Sequence, residues 1–209
     1  MAPLCILITG AASGIGLALS QALANDGHHI IVSDLNAEEA LKVTNEINQS
    51  GGRADAFSLD VSQQSQIDNI STHLPRIDVL INNAGIQYVS KLEEFPCDKW
   101  RQLTDILLVG PAMLSRAVLP NMKANNFGRI INIGSIHSVV ASPYKSAYVA
   151  AKHGLIGFSK TVALETADFD ITINTLCPSY VKTPLVEQQI AQQASTHGIS
   201  ESDVINNIM

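Results

Sequence analysis

Leu4-Cys5-Ile6-Leu7-Ile8-Thr9-Gly10-Ala11-Ala12-Ser13-Gly14-Ile15-Gly16 is an apolar run that ends in a glycine-rich turn. A short apolar run bounded by turn residues reads as a strand buried on both faces, the kind found in parallel sheets. The pattern after it is helical to about residue 26, where Gly27-His28-His29 breaks it. The same strand–turn–helix unit recurs along the chain. Residues 30–33 form a second apolar strand ending on Asp34, and Asn36-Ala37-Glu38-Glu39 caps a helix with an acidic first turn that stops at Gly51-Gly52. Residues 54–59 read as the third strand, running into Asp60-Val61, and 63–74 as a polar helix. Residues 78–81 are the fourth strand, ending at Asn82-Asn83-Ala84-Gly85, and 99–125 a long helix despite Gly110-Pro111. Residues 129–133 are the fifth strand, ending at Gly134-Ser135, followed by a helix to about 168 and a sixth strand at 171–176. Thr183-Pro184 opens a further helix, with Thr as cap and Pro at its first position. Alternation with short joints requires parallel strands, right-handed crossovers and helices on both faces. The expectation is a single-domain, doubly wound α/β fold over residues 1–209.

Bulk composition agrees with that expectation. Of 209 residues, 46% are hydrophobic and only 15% charged, enough to cover an interior sheet on both sides and too apolar for disorder. The net charge of −6 and the absence of a Lys/Arg run give nothing to attract nucleic acid or an anionic membrane. The start lacks a basic leader, and no apolar run is read as approaching membrane-spanning length, so a cytoplasmic protein is expected. Cys5, Cys97 and Cys177 have neither metal spacing nor a disulfide framework; they read as reduced residues in or near the core, and no metal is expected.

The chemistry-bearing residues fall at the carboxyl ends of the strands, where open α/β sheets bind ligands. Gly10, Gly14 and Gly16 allow a tight turn, close approach of a pyrophosphate and packing of helix on strand. Asp34 closes the second strand about twenty residues on, where an acid accepts from ribose hydroxyls and repels a 2′-phosphate. No Arg or Lys lies between Thr9 and Asp34, so NAD is expected over NADP. Asp60 and Val61 are placed to meet an adenine, and Asn83-Ala84-Gly85 to run along the cofactor. Tyr148 and Lys152 are four apart and share a helix face. A free tyrosine, with a pKa of about 10, is no base at neutral pH, and a nearby ammonium lowers that value. Lys145, three before Tyr148, lies near the same face, where it can strengthen binding of a carboxylate or simply be solvated.

Thr9-Gly10-Ala11-Ala12-Ser13-Gly14-Ile15-Gly16, Asn82-Asn83-Ala84-Gly85, Ser135 thirteen before Tyr148, and Tyr148-x-x-x-Lys152 together resemble the short-chain dehydrogenase/reductase family over essentially the whole chain. The resemblance implies a hydride-transferring oxidoreductase in which Ser135, Tyr148 and Lys152 are catalytic. It also implies that Ser13, Ile15, Pro178, Val181 and Thr183 join the cofactor contacts. Asn83-Ala84-Gly85-Ile86-Gln87, Ser135-Ile136-His137, Lys145, His153-Gly154, and Cys177-Pro178-x-x-Val181-x-Thr183-Pro184-Leu185-Val186 with Gln189 are similar to the D-3-hydroxybutyrate dehydrogenases. That likeness implies that Gln87, His137, Lys145 and Gln189 hold the carboxylate of a small hydroxy acid, in a homo-oligomer, a dimer or tetramer, serving ketone-body metabolism. The alternatives are a 3-oxoacyl reductase or polyol dehydrogenase of the same family, or a non-catalytic NAD-binding subunit.

Three departures accompany the resemblance. Leu107 stands seven after Trp100, where many relatives carry a catalytic asparagine; a water on a backbone carbonyl could then relay protons. Ser179 precedes Tyr180 where relatives carry glycine, and Tyr180 either walls the pocket or packs within its loop. Relatives continue beyond the position of Met209 through a helix, a strand and a tail, so six strands with one uncovered edge are expected.

Overall fold

The computed structural model describes residues 2–74, 76–183, 186, 187, 189, 190, 192, 194 and 198–207. β1 (Cys5–Thr9) sits inside the sheet because both its faces are apolar: Ile6 and Ile8 pack on one side, Leu7 on the other. β2 (His29–Asp34) and β3 (Arg53–Ser58) follow on one flank, and β4 (Val79–Asn82), β5 (Gly128–Ile133) and β6 (Ile171–Leu176) on the other. All pairs are parallel and the order is β3-β2-β1-β4-β5-β6. This is the Rossmann-type order, and the strand order reverses between β1 and β4, which opens a crevice at their carboxyl ends.

Helices α1 (Gly14–Asn25) and α2 (Ala37–Gln49) cover the face holding Ile6, Ile8, Ile30 and Val32. The cap read in the sequence is present: the Glu38 and Glu39 N–H groups donate to Asn36 Oδ1 at 3.1 and 3.2 Å. The expected polar helix is broken into α3 (Gln64–Asp68) and α4 (Ile70–His73), because the Asn69 amide donates back to the Ser65 carbonyl and competes with the helical ladder. α7 (Ser146–Glu165) stops short of residue 168, where the Thr166 hydroxyl donates to the Val162 carbonyl and the chain turns toward β6. A last helix, α8 (Glu201–Asn207), follows. Of the helix expected after Thr183, residues 186, 187, 189 and 190 are helical, the Val186 N–H donates to Thr183 Oγ1 at 3.3 Å, and Pro184 lies outside the described residues.

The long helix departs from regularity at one place. α5 (Cys97–Thr104) passes through a π turn (Asp105–Val109) into α6 (Gly110–Ala124), and the Gly110 N–H donates to Asp105 O. Pro111 has no N–H to return to Leu107, so the wider turn relieves the ladder just where the proline would break it. Gly110 is required there: a Cβ on it would lie 2.6 Å from the Val61 carbonyl oxygen. Contrary to the sequence expectation, the continuous helix Cys97–Ala124 is long and apolar enough to cross a membrane. Its α6 part is instead laid against the sheet, with Leu114, Val118 and Met122 buried, while Leu103 and Leu107 are buried against α7. Cys97 is also corrected, being exposed at the start of α5, whereas half-buried Cys5 is pushed up to about 11 by burial and by Asp78.

Gly110→Ala is expected to cost about 1–3 kcal/mol, since the clash is with backbone that cannot step aside. Thermal unfolding checks this against Gly157→Ala, whose Cβ meets nothing within 4 Å. The control should hold or raise Tm through helix propensity, whereas equal midpoints for the two variants would refute the packing argument.

Candidate active site

The first turn is built around two glycines in the left-handed region, Gly10 (φ 62°) and Gly14 (φ 52°). A Cβ on Gly10 would lie 2.9 Å from Ala84 Cα, and one on Gly16 would strike the Gly10 carbonyl. Thr9 locks this turn to the end of β4, its Oγ1 accepting from the Asn83 and Ala84 N–H groups at 3.0 Å. The Asn83 amide donates to Thr9 O and Gly10 O at 2.9 and 3.0 Å. The part played by Thr9 escaped the sequence reading; a hydroxyl residue closing an apolar strand just before the glycines was its signal. Ser13 makes no side-chain cap on α1, so the free N–H groups of that helix face the crevice.

A cavity of about 380 Å³ occupies the crevice. Gly10, Ser13, Gly14, Ile15, Asp34, Asp60, Val61, Asn83, Ala84 and Gly85 line one part of it. Ser135, His137, Tyr148, Lys152, Gln87, Gln189, Pro178, Val181 and Thr183 line the rest. Gly16 lies beneath the turn, outside the wall. Asp34 is held at the rim by the Ala12 and Asn36 N–H groups, each at 3.1 Å. Among the described residues Lys152 is the one Lys or Arg in the wall. Backbone amides and glycines at one end, with an acid on the neighbouring strand, suit a dinucleotide; the reactive side chains gather at the other.

That second end is held from several directions. Ser135 Oγ accepts from the His137 N–H at 3.2 Å and lies 3.4 Å from His137 Nδ1, while the Ser135 N–H donates to Ser138 Oγ. Lys152 is buried, with 6% of its surface exposed, and its Nζ donates to the Ile133 carbonyl at 2.5 Å. Its Nζ lies 5.6 Å from the centre of the Tyr148 ring. Burial pushes Lys152 down to about 8, against an opposing influence from Cys177. The expectation that Lys152 lowers the Tyr148 pKa is corrected here. Burial raises the phenol above its usual value, a hydrogen bond with Ser135 lowers it, and Tyr180 raises it.

Lys145 is 1% exposed and pushed down to about 8 by burial. Tyr144 adopts φ 64° immediately before it, a left-handed conformation rare for an aromatic residue, and turns Lys145 inward at the start of α7. The lysine is therefore no solvated side chain, yet it does not line the cavity. Its Nζ meets Tyr180 Oη at 3.5 Å, and Tyr180 forms the wall in front of it. His137 packs edge-on to both Tyr148 and Tyr180, at 6.1 and 6.3 Å between ring centres. Burial and the Lys145 charge hold the His137 pKa down at about 4. Gln87 Oε1 accepts from the Tyr88 N–H. Leu107 lines the cavity as an apolar side chain, so no asparagine amide stands at that place.

A parallel sheet in this order, with glycine cradle and reactive groups sharing one crevice, defines the class of dinucleotide-binding α/β oxidoreductases. The chain belongs to the short chain dehydrogenase family, which it matches over residues 4–194, and is accordingly an NAD(P)-dependent oxidoreductase. It is 44% identical over 209 residues to a D-beta-hydroxybutyrate dehydrogenase of Rhizobium meliloti, covering 97% of this chain and 81% of that protein. It is 43% identical to the D-beta-hydroxybutyrate dehydrogenase of Cupriavidus necator, covering 92% and 76% of the two chains. An uncharacterized oxidoreductase of Bacillus subtilis is 41% identical, over 97% and 80%.

The lowered His137 pKa has a consequence for stability. The unfolded histidine, near 6.5, takes up a proton before the folded one, near 4. The stability that depends on neutral His137 is therefore complete above pH 6.5 and is lost as pH falls toward 4. His137→Gln is expected to flatten the pH dependence of Tm over that window; a slope equal to that of the unsubstituted chain would contradict the assignment.

Proposed function

We propose that the chain reversibly oxidises (R)-3-hydroxybutyrate to acetoacetate with NAD, with Ser135, Tyr148 and Lys152 as the catalytic set. The observation that carries the substrate class is Lys145. A buried ammonium that makes no salt bridge among the described residues is costly unless a ligand supplies negative charge. Its charge stands one phenol away from a cavity that also presents Gln87, His137 and Gln189, the polar surface a small carboxylate needs. The D-beta-hydroxybutyrate dehydrogenases among the relatives support the same choice. A neutral alcohol or a bulky thioester would leave Lys145 uncompensated.

NAD is favoured over NADP because Asp34 at the rim would repel a 2′-phosphate, and Lys152, the one cation in the wall among the described residues, belongs to the opposite end. When bound, the nicotinamide accepts a hydride from the alcohol carbon. Ser135 Oγ holds the reacting oxygen and, by its hydrogen bond, lowers the Tyr148 pKa, Tyr148 Oη takes the alcohol proton in oxidation or returns it in reduction, and Lys152 would hold the nicotinamide ribose. With burial raising the Tyr148 pKa, the protonated phenol, the acid needed for ketone reduction, dominates near neutral pH. Gln87, His137 and Gln189 orient the carboxylate. Exposed Val109 and Leu164 on the long helices support a homo-oligomer, and we place the enzyme in the cytoplasm.

Lys145→Ala is expected to raise KM for (R)-3-hydroxybutyrate about 100-fold while KM for NAD stays within about twofold. Equal losses for both would remove the carboxylate site. Tyr148→Phe should abolish turnover and leave NAD binding intact. In the unsubstituted enzyme, kcat/KM for the acid should rise with pH up to about 8 and then level off, because further ionisation of Tyr148, whose pKa is raised, is offset as Lys145 loses its charge. A profile that keeps rising unchanged through pH 8 would argue against Lys145.

A further inference from the structure

One layer beneath the reactive end of the cavity, a line of polar side chains crosses the sheet. Asn82 Nδ2 donates to Asn132 Oδ1 at 2.8 Å, and Asn132 Nδ2 donates to Ser159 Oγ at 2.9 Å. Ser159 Oγ donates to the Leu155 carbonyl at 2.8 Å and lies 2.7 Å from Thr175 Oγ1. With its single proton committed to Leu155, Ser159 accepts from both Asn132 and Thr175, and its hydroxyl is fully used. At the other end, Asn82 Nδ2 lies 3.5 Å from the Pro111 carbonyl, which also accepts from Ser115 Oγ at 2.7 Å. Asn82, Asn132, Ser115 and Ser159 are all buried.

The line touches five elements, and each carries part of the site. β4 leads into Asn83-Ala84-Gly85, α6 begins where the π turn holding Leu107 ends, and β5 leads to Ile133 and Ser135. α7 bears Tyr148 and Lys152, and β6 leads to Pro178 and Tyr180. Asn82 Oδ1 is the member of the line left without a hydrogen-bond partner. Apolar side chains could fill the same space at less desolvation cost, but apolar contacts are non-directional, whereas a chain of hydrogen bonds specifies one arrangement. Asn132 directly precedes Ile133, whose carbonyl receives Lys152, and Ser159 lies two helical turns beyond Lys152 on the same stripe. α7 is therefore tied to β5 twice. One tie runs through Lys152, a member of the reacting set; the other, Asn132 to Ser159, touches neither the cavity nor anything bound in it.

We propose that the Asn82–Asn132–Ser159–Thr175 chain is a positioning brace that holds α7 in register with β5, so that Tyr148 and Lys152 meet Ser135 in reactive geometry. This rests on the reading of Ser135, Tyr148 and Lys152 as the catalytic set, and not on the identity of the substrate. The brace acts on Tyr148 through Ser135, whose hydrogen bond is the influence that lowers the phenol's pKa. The other titratable groups around the ring are His137 after β5, Lys152 on α7, Tyr180 after β6, and Tyr88 in the adjoining apolar cluster.

The test uses the full chain carrying Ser159→Ala, Thr175→Val or Ser159→Thr. It reads kcat, KM for NAD and for (R)-3-hydroxybutyrate, and the titration of Tyr148 followed by carbon-13 NMR of labelled tyrosine, with Tyr148→Phe as assignment control. Ser159→Ala removes the hub and is expected to lower kcat about 10- to 100-fold with KM for NAD within about twofold, as a small misplacement of reacting groups does. It should also move the Tyr148 midpoint upward as the Ser135 bond weakens. Thr175→Val, which removes only the outer bond, should give a smaller change in the same direction, and Ser159→Thr should restore most of kcat. An unmoved Tyr148 midpoint in both Ser159→Ala and Thr175→Val would overturn the proposal, even if stability fell. The midpoint is read without substrate, so an unsubstituted enzyme inactive on (R)-3-hydroxybutyrate would remove the substrate assignment while the midpoint still decides the brace.

Discussion

Two ammonium groups are buried in this protein without a carboxylate partner among the described residues, and the arrangement of the site follows from how each is accommodated. Removing a cation from water costs several kcal/mol even after relaxation, so such groups lose their proton, find strong acceptors or await an anion. Lys152 donates to the Ile133 carbonyl, and both lysines are pushed down to about 8. A lysine near 8 keeps its charge at neutral pH yet gives it up at modest cost, which suits Lys152 to the proton transfer proposed for Tyr148 beside it. Among the described residues Lys145 meets a phenol oxygen and ring, and the proposed carboxylate would supply the negative charge it lacks there.

Backbone geometry places these charges. The left-handed turn at Tyr144 delivers Lys145 inward, and β5 ends so that the Ile133 carbonyl meets Lys152 while Ser135 is held by its own turn. The π turn inserts a residue into the long helix and sets Leu107 into the wall, against the position a Cβ on Gly85 would take. With Leu107 apolar, the carbonyl of Ile133 is the polar contact beyond Lys152, consistent with a relay that uses backbone and water instead of an amide side chain.

The sheet and its order were readable because local signals agreed: apolar strands, glycines at turns and helical patterns alternated without conflict. The turn after β1 was equally readable, since Gly10 and Gly14 answer a backbone requirement that leaves few other choices. What escaped were facts created by distance in the chain. Asn132 and Ser159 are 27 residues apart, and nothing in either neighbourhood announces their bond. The depth of Lys145 depends on Tyr144 and on Tyr180, 35 residues away, so a helix-start lysine read as ligand-binding could still have been a solvated one. The direction of the Tyr148 pKa was misjudged because spacing shows that a lysine is near but cannot show that burial outweighs it.

The central claim is that this family member recognises its substrate by a carboxylate held in the field of Lys145. The most direct measurement compares NADH formation from (R)-3-hydroxybutyrate with that from 2-butanol, a secondary alcohol lacking the acid group. The account predicts kcat/KM for the acid higher by about 1,000-fold or more, the discrimination of a site built to pair with a charged group. Comparable values for the two alcohols would contradict it.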